Sequence, residues 1–161
     1  MLLIDYNRQD ALDYAREWAF SRNPDFYNFD NLGGDCTNFV SQCIFAGAKQ
    51  MNYTRDTGWY YISIQDRAAA WTGVTFLYNF LVSNTELGPY ATEVTADEIT
   101  TGDVIQLGRN DGSFYHSLFV TATTPEILVA AHTNDAFNRP LDSYVYDKAR
   151  FLHIEKVRIP E

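Results

Sequence analysis

The residue pattern changes character once along the chain, near Gly88 and Pro89, and this change restricts the possible folds most strongly. Before it, apolar residues recur at helical spacing, and after it, short segments alternate apolar and polar residues as strands do. Helices followed by strands are typical of an α+β domain. We therefore predict N-terminal helices packed on a C-terminal antiparallel sheet, with residues 1–161 forming a single domain.

The individual elements follow from the same spacing. Apolar periodicity and helix start and stop signals predict three helices. The first is capped by Asn7 or Asp10 and runs to about Phe20, the second covers residues 36–47, and the third starts near Ala70 and ends before Asn84. Alternation between turn residues predicts strands over residues 104–107, 115–123, 127–132 and 150–157.

The charge of the chain argues against several classes of function. It has 12 Lys and Arg residues against 21 Asp and Glu residues, a net charge of −9, and no basic stripe. Nucleic acids and anionic membranes are poor partners for such a chain, because both are bound by neutralising phosphates. The charge of the chain leaves neutral or cationic substrates as possibilities. We also expect no membrane span and no signal peptide within this sequence, because no long apolar run is present.

Two cysteines lie in the second predicted helix. Cys36 and Cys43 are seven residues apart, which places their Cα atoms about 10 Å apart on a helix and excludes a disulfide between them. Cys36 begins the helix, where unpaired N–H groups stabilise a thiolate, and we expect its pKa to be lowered. Gly33 and Gly34 permit a positive-φ approach that leaves the sulfur uncovered. Cys43 is expected to be ordinary core.

A cysteine nucleophile needs a base, and His116 begins a predicted strand. The alternative is a half-buried strand histidine with a structural role. Across the hairpin that follows, His116 faces residue 132, 133 or 134, depending on the loop length. His132 is the preferred third residue because it directly follows an apolar strand, and Asn134 and Asp135 remain alternatives.

Further residues are candidates for the substrate cleft. The aromatic residues Trp59, Tyr60, Tyr61 and Trp71 either line a cleft or belong to the core. Asp35 either caps the helix that begins at Cys36 or positions a substrate amine. We predict no metal site and no cofactor, because the cysteines and histidines lack metal-ligand spacing and no glycine-rich phosphate loop is present.

The segment over residues 33–42, Gly-Gly-Asp-Cys-Thr-Asn-Phe-Val-Ser-Gln, resembles the nucleophile segment of a bacterial family described as "putative amidase" domains. The resemblance extends from about residue 6 to residue 141, with matching segments at residues 59–61, 71–76, 102–105, 115–117, 132–135 and 139–141. More distantly, the chain is similar to NlpC-type cell-wall peptidases and amidases, which have papain-like folds.

This resemblance implies a papain-like cysteine hydrolase core with Cys36 as the nucleophile, His116 as the base and His132 as the third residue. It implies amide-bond hydrolysis through a thioester, on a cell-wall peptide, a peptidoglycan-like substrate or a related amide. It also favours an extracellular or cell-envelope location. Two alternatives remain: a non-catalytic cell-wall or carbohydrate-binding module with an aromatic platform, and an acyltransferase that uses the same cysteine and histidine.

Overall fold

Four helices lie against a seven-stranded antiparallel sheet in the computed structural model, which describes residues 1–161. The helices are α1 (Arg8–Trp18), α2 (Cys36–Ala48), α3 (Ala69–Thr72) and α4 (Val74–Ser83). The strands are β1 (Leu2–Ile4), β2 (Tyr61–Ser63), β3 (Asp66–Arg67), β4 (Gly88–Val94), β5 (Val104–Gly108), β6 (Phe114–Ala122), β7 (Leu128–Ala131), β8 (Ala136–Pro140) and β9 (Lys148–Ile159). The α+β prediction is confirmed.

Strand β9 organises the large sheet. Its 12 residues pair with β4 along one side and with β5 and β1 along the other. From β5 the sheet continues through β6, β7 and β8, while β2 and β3 form a separate hairpin. Both faces of the sheet are covered: a core cluster of 25 residues includes helix residues, and a second cluster of 8 residues includes Leu107, Leu118 and Val120.

Helix α2 is the most buried helix, and its polar side chains are all paired inside the protein. Ser41 accepts a hydrogen bond from the indole of Trp59, and Asn38 accepts one from the indole of Trp71, both at 3.0 Å. Gln42 accepts one from the Tyr14 hydroxyl at 2.5 Å. A buried polar group is costly unless it is hydrogen-bonded, so these pairs allow a polar segment to sit in the core.

Several elements differ from the prediction. The third predicted helix is divided into α3 and α4, because Gly73 between them has an extended backbone (φ −111°, ψ 129°). The predicted strands do not include β1, β2, β3, β4 or β8. Strand β1 is an exposed three-residue strand, and β2 and β3 form a short hairpin. Strand β4 begins with the Gly88–Pro89 pair that indicates a turn, and β8 contains Asn138 at φ 58°. None of the helices has the length and apolar character that crossing a bilayer requires.

Candidate active site

Cys36 is the first residue of α2, and the residue is buried, with 9% of its surface exposed. Gly33 and Gly34 before it have φ values of 86° and 97°, so the predicted positive-φ approach is confirmed. The expectation that this approach leaves the sulfur uncovered is wrong, because Cys36 is buried. The Gly34 N–H donates to the carbonyl of Phe29 at 3.0 Å, which closes this turn. Cys43 is fully buried in the core, and both cysteines are free thiols, as predicted.

Cys36 and His116 line the same cavity, which has a volume of about 390 Å³. Six segments of the chain contribute its walls, with lining residues Gly33, Gly34, Cys36, Leu107, Tyr115, His116, Thr133, Asn134, Arg139, Tyr144 and Val145. No hydrogen bond joins the Cys36 thiol to the His116 ring. The structure therefore brings the predicted nucleophile and base to one cavity as separate, unbonded groups.

A chain of buried hydrogen bonds fixes the start of α2 on the sheet. The hydroxyls of Thr37 and Ser117 are 3.0 Å apart, and the amide of Gln106 donates to the Ser117 hydroxyl at 3.1 Å. Ser117 follows His116 in β6 and pairs with Gln106 of β5 in the sheet register. The residue after Cys36 is thus tied to the residue after His116, which keeps Cys36 close to His116.

The charge states of the two groups follow from their burial. Burial raises the pKa of the Cys36 thiol above its usual range, although hydrogen bonds from the Ser117 backbone and from Thr37 oppose this. Burial lowers the pKa of His116 to about 4, and the positive charge of Arg139 acts in the same direction. At neutral pH both groups are uncharged. The prediction of a lowered thiol pKa is wrong, because loss of solvent outweighs the effect of the helix start.

His132 lies in the turn after β7 and does not contact His116. Its Nδ1 is 2.5 Å from a carboxylate oxygen of Asp35, and its Nε2 is 2.8 Å from the carbonyl of Trp18. A carbonyl only accepts, so Nε2 donates, and His132 and Asp35 share the remaining proton. The prediction that His132 orients His116 is corrected here: β7 ends at Ala131, one residue too early, and both ring nitrogens are occupied.

Asp35 occupies the N-cap position of α2, but its carboxylate makes no capping hydrogen bond and does not line the cavity. Its carboxylate accepts from the Phe29 N–H at 2.8 Å and from the Asn38 amide at 2.9 Å, in addition to His132. Its side chain is 1% exposed, and Arg22 is 3.5 Å away. The prediction of Asp35 at the helix cap holds for its position, while its buried carboxylate has a structural role and is not placed to contact a substrate.

The two alternative third residues have different surroundings. Both carboxylate oxygens of Asp135 accept from the guanidinium of Arg22 at 3.0 Å, so this residue points into an ion pair. Asn134, with φ 56°, lines the cavity together with His116. Of the three predicted candidates for the third position, Asn134 alone reaches the cavity.

The predicted cleft aromatics do not line this cavity. Trp59 and Trp71 are fully buried in the core with ring centroids 4.8 Å apart, because α2 supplies acceptors for their indole N–H groups. The Tyr61 hydroxyl accepts from the Tyr27 N–H at 2.8 Å. Tyr60 borders a separate depression of about 1020 Å³ that contains no cysteine or histidine. Trp59 and Trp71 are therefore not available to form an aromatic platform for a ligand.

Sequence reasoning missed Arg22, Arg139 and Tyr144. Arg139 and Tyr144 line the cavity, and Arg22 joins Asp30, Asp35 and Asp135 beside it. Arg139 comes from β8, a strand that the residue pattern did not predict. Its only signal was its place in a segment that resembles the amidase family. No group of three His, Cys, Asp and Glu side chains converges as a metal site would require.

Comparisons with known proteins identify the family of the chain. The family model described as "Putative amidase domain" matches residues 5–155. The chain is also 36% identical over 123 residues to "Uncharacterized protein YhbB" of Bacillus subtilis (strain 168), a match that covers 74% of this chain and 38% of that protein. The chain thus spans well under half the length of this relative. No solved structure matches the chain significantly. Because this family model matches nearly the whole sequence, the chain belongs to the family of putative amidase domains.

Proposed function

We propose that this domain is a cysteine-dependent amide-bond hydrolase, with Cys36 as the nucleophile and His116 as the general base. The observation that carries the proposal is the cavity shared by a thiol at a helix start and a neutral imidazole. Membership of the amidase family supports amides as the substrate class. The same observations support residues 1–161 acting as one unit.

The proposed reaction begins from the uncharged pair. As the sulfur of Cys36 attacks the amide carbonyl carbon, its proton passes to His116. N–H groups at the start of α2 lack helical acceptors and are available to stabilise the oxyanion. His116 then gives the proton to the leaving amine as the C–N bond breaks, which leaves a thioester on Cys36.

Hydrolysis of the thioester completes the cycle. His116 takes a proton from a water molecule, whose oxygen attacks the thioester carbonyl. The C–S bond breaks, the carboxylic acid is released, and the proton returns to the sulfur. Asn134 is the proposed third residue, because it lines the cavity beside His116.

We also propose that the fold is a papain-like core of the NlpC type. A nucleophile at the start of a buried helix, packed on an antiparallel sheet that carries the histidine, supports this assignment. Peptide amides of the cell wall are the first substrates to test, since the resemblance to NlpC-type peptidases favours them.

A substrate screen tests the proposal. Wild-type protein is incubated with N-acetyl peptide amides and soluble peptidoglycan fragments, and the products are identified by mass. We expect gain of one water per cleaved amide, at least a thousandfold loss of rate in Cys36→Ala and His116→Ala, and retained activity in Cys43→Ala, which removes the other thiol of α2.

Two outcomes would contradict this function. Cleavage at the wild-type rate in Cys36→Ala excludes the thiol as the nucleophile. Transfer of the acyl group to an added amine, with no carboxylic acid formed, identifies an acyltransferase instead of a hydrolase.

A further inference from the structure

Arg139 is the one charged side chain on the wall of the Cys36 cavity. The other lining groups are apolar, hydroxyl or amide in character, and His116 is neutral. No Asp or Glu side chain lies on the wall. The cavity therefore carries a single positive charge, although the whole chain carries a net charge of −9.

The guanidinium of Arg139 is held in place without an acidic partner. Its Nε donates to the Ser143 hydroxyl at 2.8 Å, and one terminal nitrogen donates to the Ser143 carbonyl at 3.2 Å. Its central carbon lies 3.7 Å from the centroid of the Tyr144 ring. No carboxylate lies within ion-pair distance of it. A fixed guanidinium with one unused terminal nitrogen is suited to bind a carboxylate.

Arg139 lies on the side of the cavity where the leaving amine is expected. The Tyr144 ring lies between Arg139 and His116. It stacks against the guanidinium of Arg139, and its centroid is 6.1 Å from the centroid of the His116 ring. His116 must reach the leaving nitrogen to protonate it. A charged group of the substrate near Arg139 therefore belongs to the leaving-amine residue.

On the basis of the proposed hydrolase function, we propose that the substrate carries a carboxylate on the residue that supplies the leaving amine, and that Arg139 binds this carboxylate. Two sources satisfy this chemistry: the free α-carboxylate of a terminal residue, and an acidic side chain. Arg139 is then a residue that determines specificity for anionic amides.

Binding of such a substrate has a consequence for the base. The titratable groups that line the cavity with His116 are Cys36, Tyr115, Tyr144 and Arg139. Arg139 helps to lower the pKa of His116, so a carboxylate bound to Arg139 offsets this effect. The pKa of His116 rises when the anionic substrate binds, which makes the imidazole a stronger base.

Binding of four peptides to Cys36→Ala protein tests the proposal without turnover. The anionic probes are N-acetyl-Ala-Ala with a free carboxylate and N-acetyl-Ala-Asp-amide, and their neutral counterparts are N-acetyl-Ala-Ala-amide and N-acetyl-Ala-Asn-amide. We expect at least one anionic probe to bind about tenfold to a hundredfold more tightly than its counterpart. Which one does so identifies the source of the carboxylate.

Variants of two arginines give the matched comparison. Arg139→Gln, made in the Cys36→Ala background, is expected to remove the preference, and Arg139→Lys to keep part of it. Arg158 stacks on Tyr90 at 4.0 Å in a similar way but lies outside the cavity, so Arg158→Gln is expected to keep the preference. The ring signals of His116, one of three histidines, are expected to titrate at higher pH in Arg139→Gln and in the presence of the preferred anionic probe.

Equal affinity for anionic and neutral probes, or a preference that survives in Arg139→Gln, overturns the proposal. Failure of the hydrolase function is a distinct result. In that case the wild-type protein cleaves none of the four peptides, while selective binding through Arg139 persists and still supports the carboxylate site.

Discussion

At the residue scale, the position of Cys36, the proposed nucleophile, at a helix start could be predicted, and its charge state could not. A glycine pair before a cysteine at a helix start is a local pattern, so the sequence locates Cys36. The pKa values depend on which distant segments cover the two groups. Ser117 of β6 approaches Cys36, and Arg139 of β8 approaches His116, only in the folded chain. Neither approach follows from residue spacing.

The low pKa of His116 predicts an acid-tolerant enzyme. The imidazole must be unprotonated to accept the thiol proton, and its pKa is lowered to about 4. We therefore expect kcat/KM for a neutral amide to stay level as the pH falls from 7 to 5 and to decline only near pH 4. A rate profile between pH 3 and pH 8 measures this. A decline centred near pH 6.5, the usual value for histidine, would contradict it.

The raised pKa of Cys36 predicts slow alkylation of the resting enzyme. Iodoacetamide reacts with the thiolate, and little thiolate exists at neutral pH if burial raises the pKa. Peptide mass mapping should show Cys36 labelled more slowly than a model thiol at pH 6, with a rate that still increases above pH 9. Cys43 should stay unlabelled in the native state. Rapid labelling of Cys36 at pH 6 would indicate a preformed thiolate.

At the element scale, the buried Asp35 and His132 pair connects the start of α2 to the turn between β7 and β8. Thr133 and Asn134 of this turn border the cavity, so the pair holds one wall beside Cys36. The apolar run before His132 predicted a strand, but the end of a strand depends on its neighbour. The register of β7 against β8 shifts between Val129 and Ala131. The alternation of apolar and polar residues within one strand does not reveal such a shift.

Removing His132 is expected to be strongly destabilising. His132→Ala leaves the Asp35 carboxylate buried without its main partner, which costs about 3 to 5 kcal/mol for a broken buried pair. Urea unfolding measures the loss. Asp135→Asn is the control in the same turn, because its ion pair with Arg22 is partly exposed and contributes about 1 kcal/mol or less. Similar losses in the two variants would contradict the role of the pair.

At the scale of the whole molecule, the fold class could be predicted from the order of helical and strand periodicities, while the sheet could be predicted only in part. Strands β5, β6, β7 and β9 overlap the predicted strands, because apolar residues between turn residues indicate them. Strand β8 contains a positive-φ residue and ends at Pro140, so its strand character depends on pairing with β7. The net charge of −9 describes the whole chain, whereas Arg139 is the one charged side chain on the cavity wall, and its place there does not follow from composition.

The stability of the molecule is expected to depend on pH through His116. Its pKa is about 4 in the folded protein and near 6.5 when unfolded, so the unfolded chain takes up the proton first. The resulting stability is present above pH 6.5 and is lost as the pH falls towards 4, by about 3 kcal/mol in total. Urea unfolding at pH 7 and pH 4 measures this loss. His116→Gln should show a smaller loss between these two values, and an equal loss would contradict the buried, neutral imidazole.

The central claim, attack by Cys36 on an acyl group, is tested most directly by trapping the thioester. An activated acyl ester such as p-nitrophenyl acetate is mixed with the protein, the reaction is quenched with acid, and the modified peptide is identified by mass. The account predicts a burst of nitrophenol stoichiometric with the protein, an acetyl group on Cys36, the same result in Cys43→Ala, and no burst in Cys36→Ala. A burst that persists in Cys36→Ala, or an acetyl group found only on other residues, would contradict it.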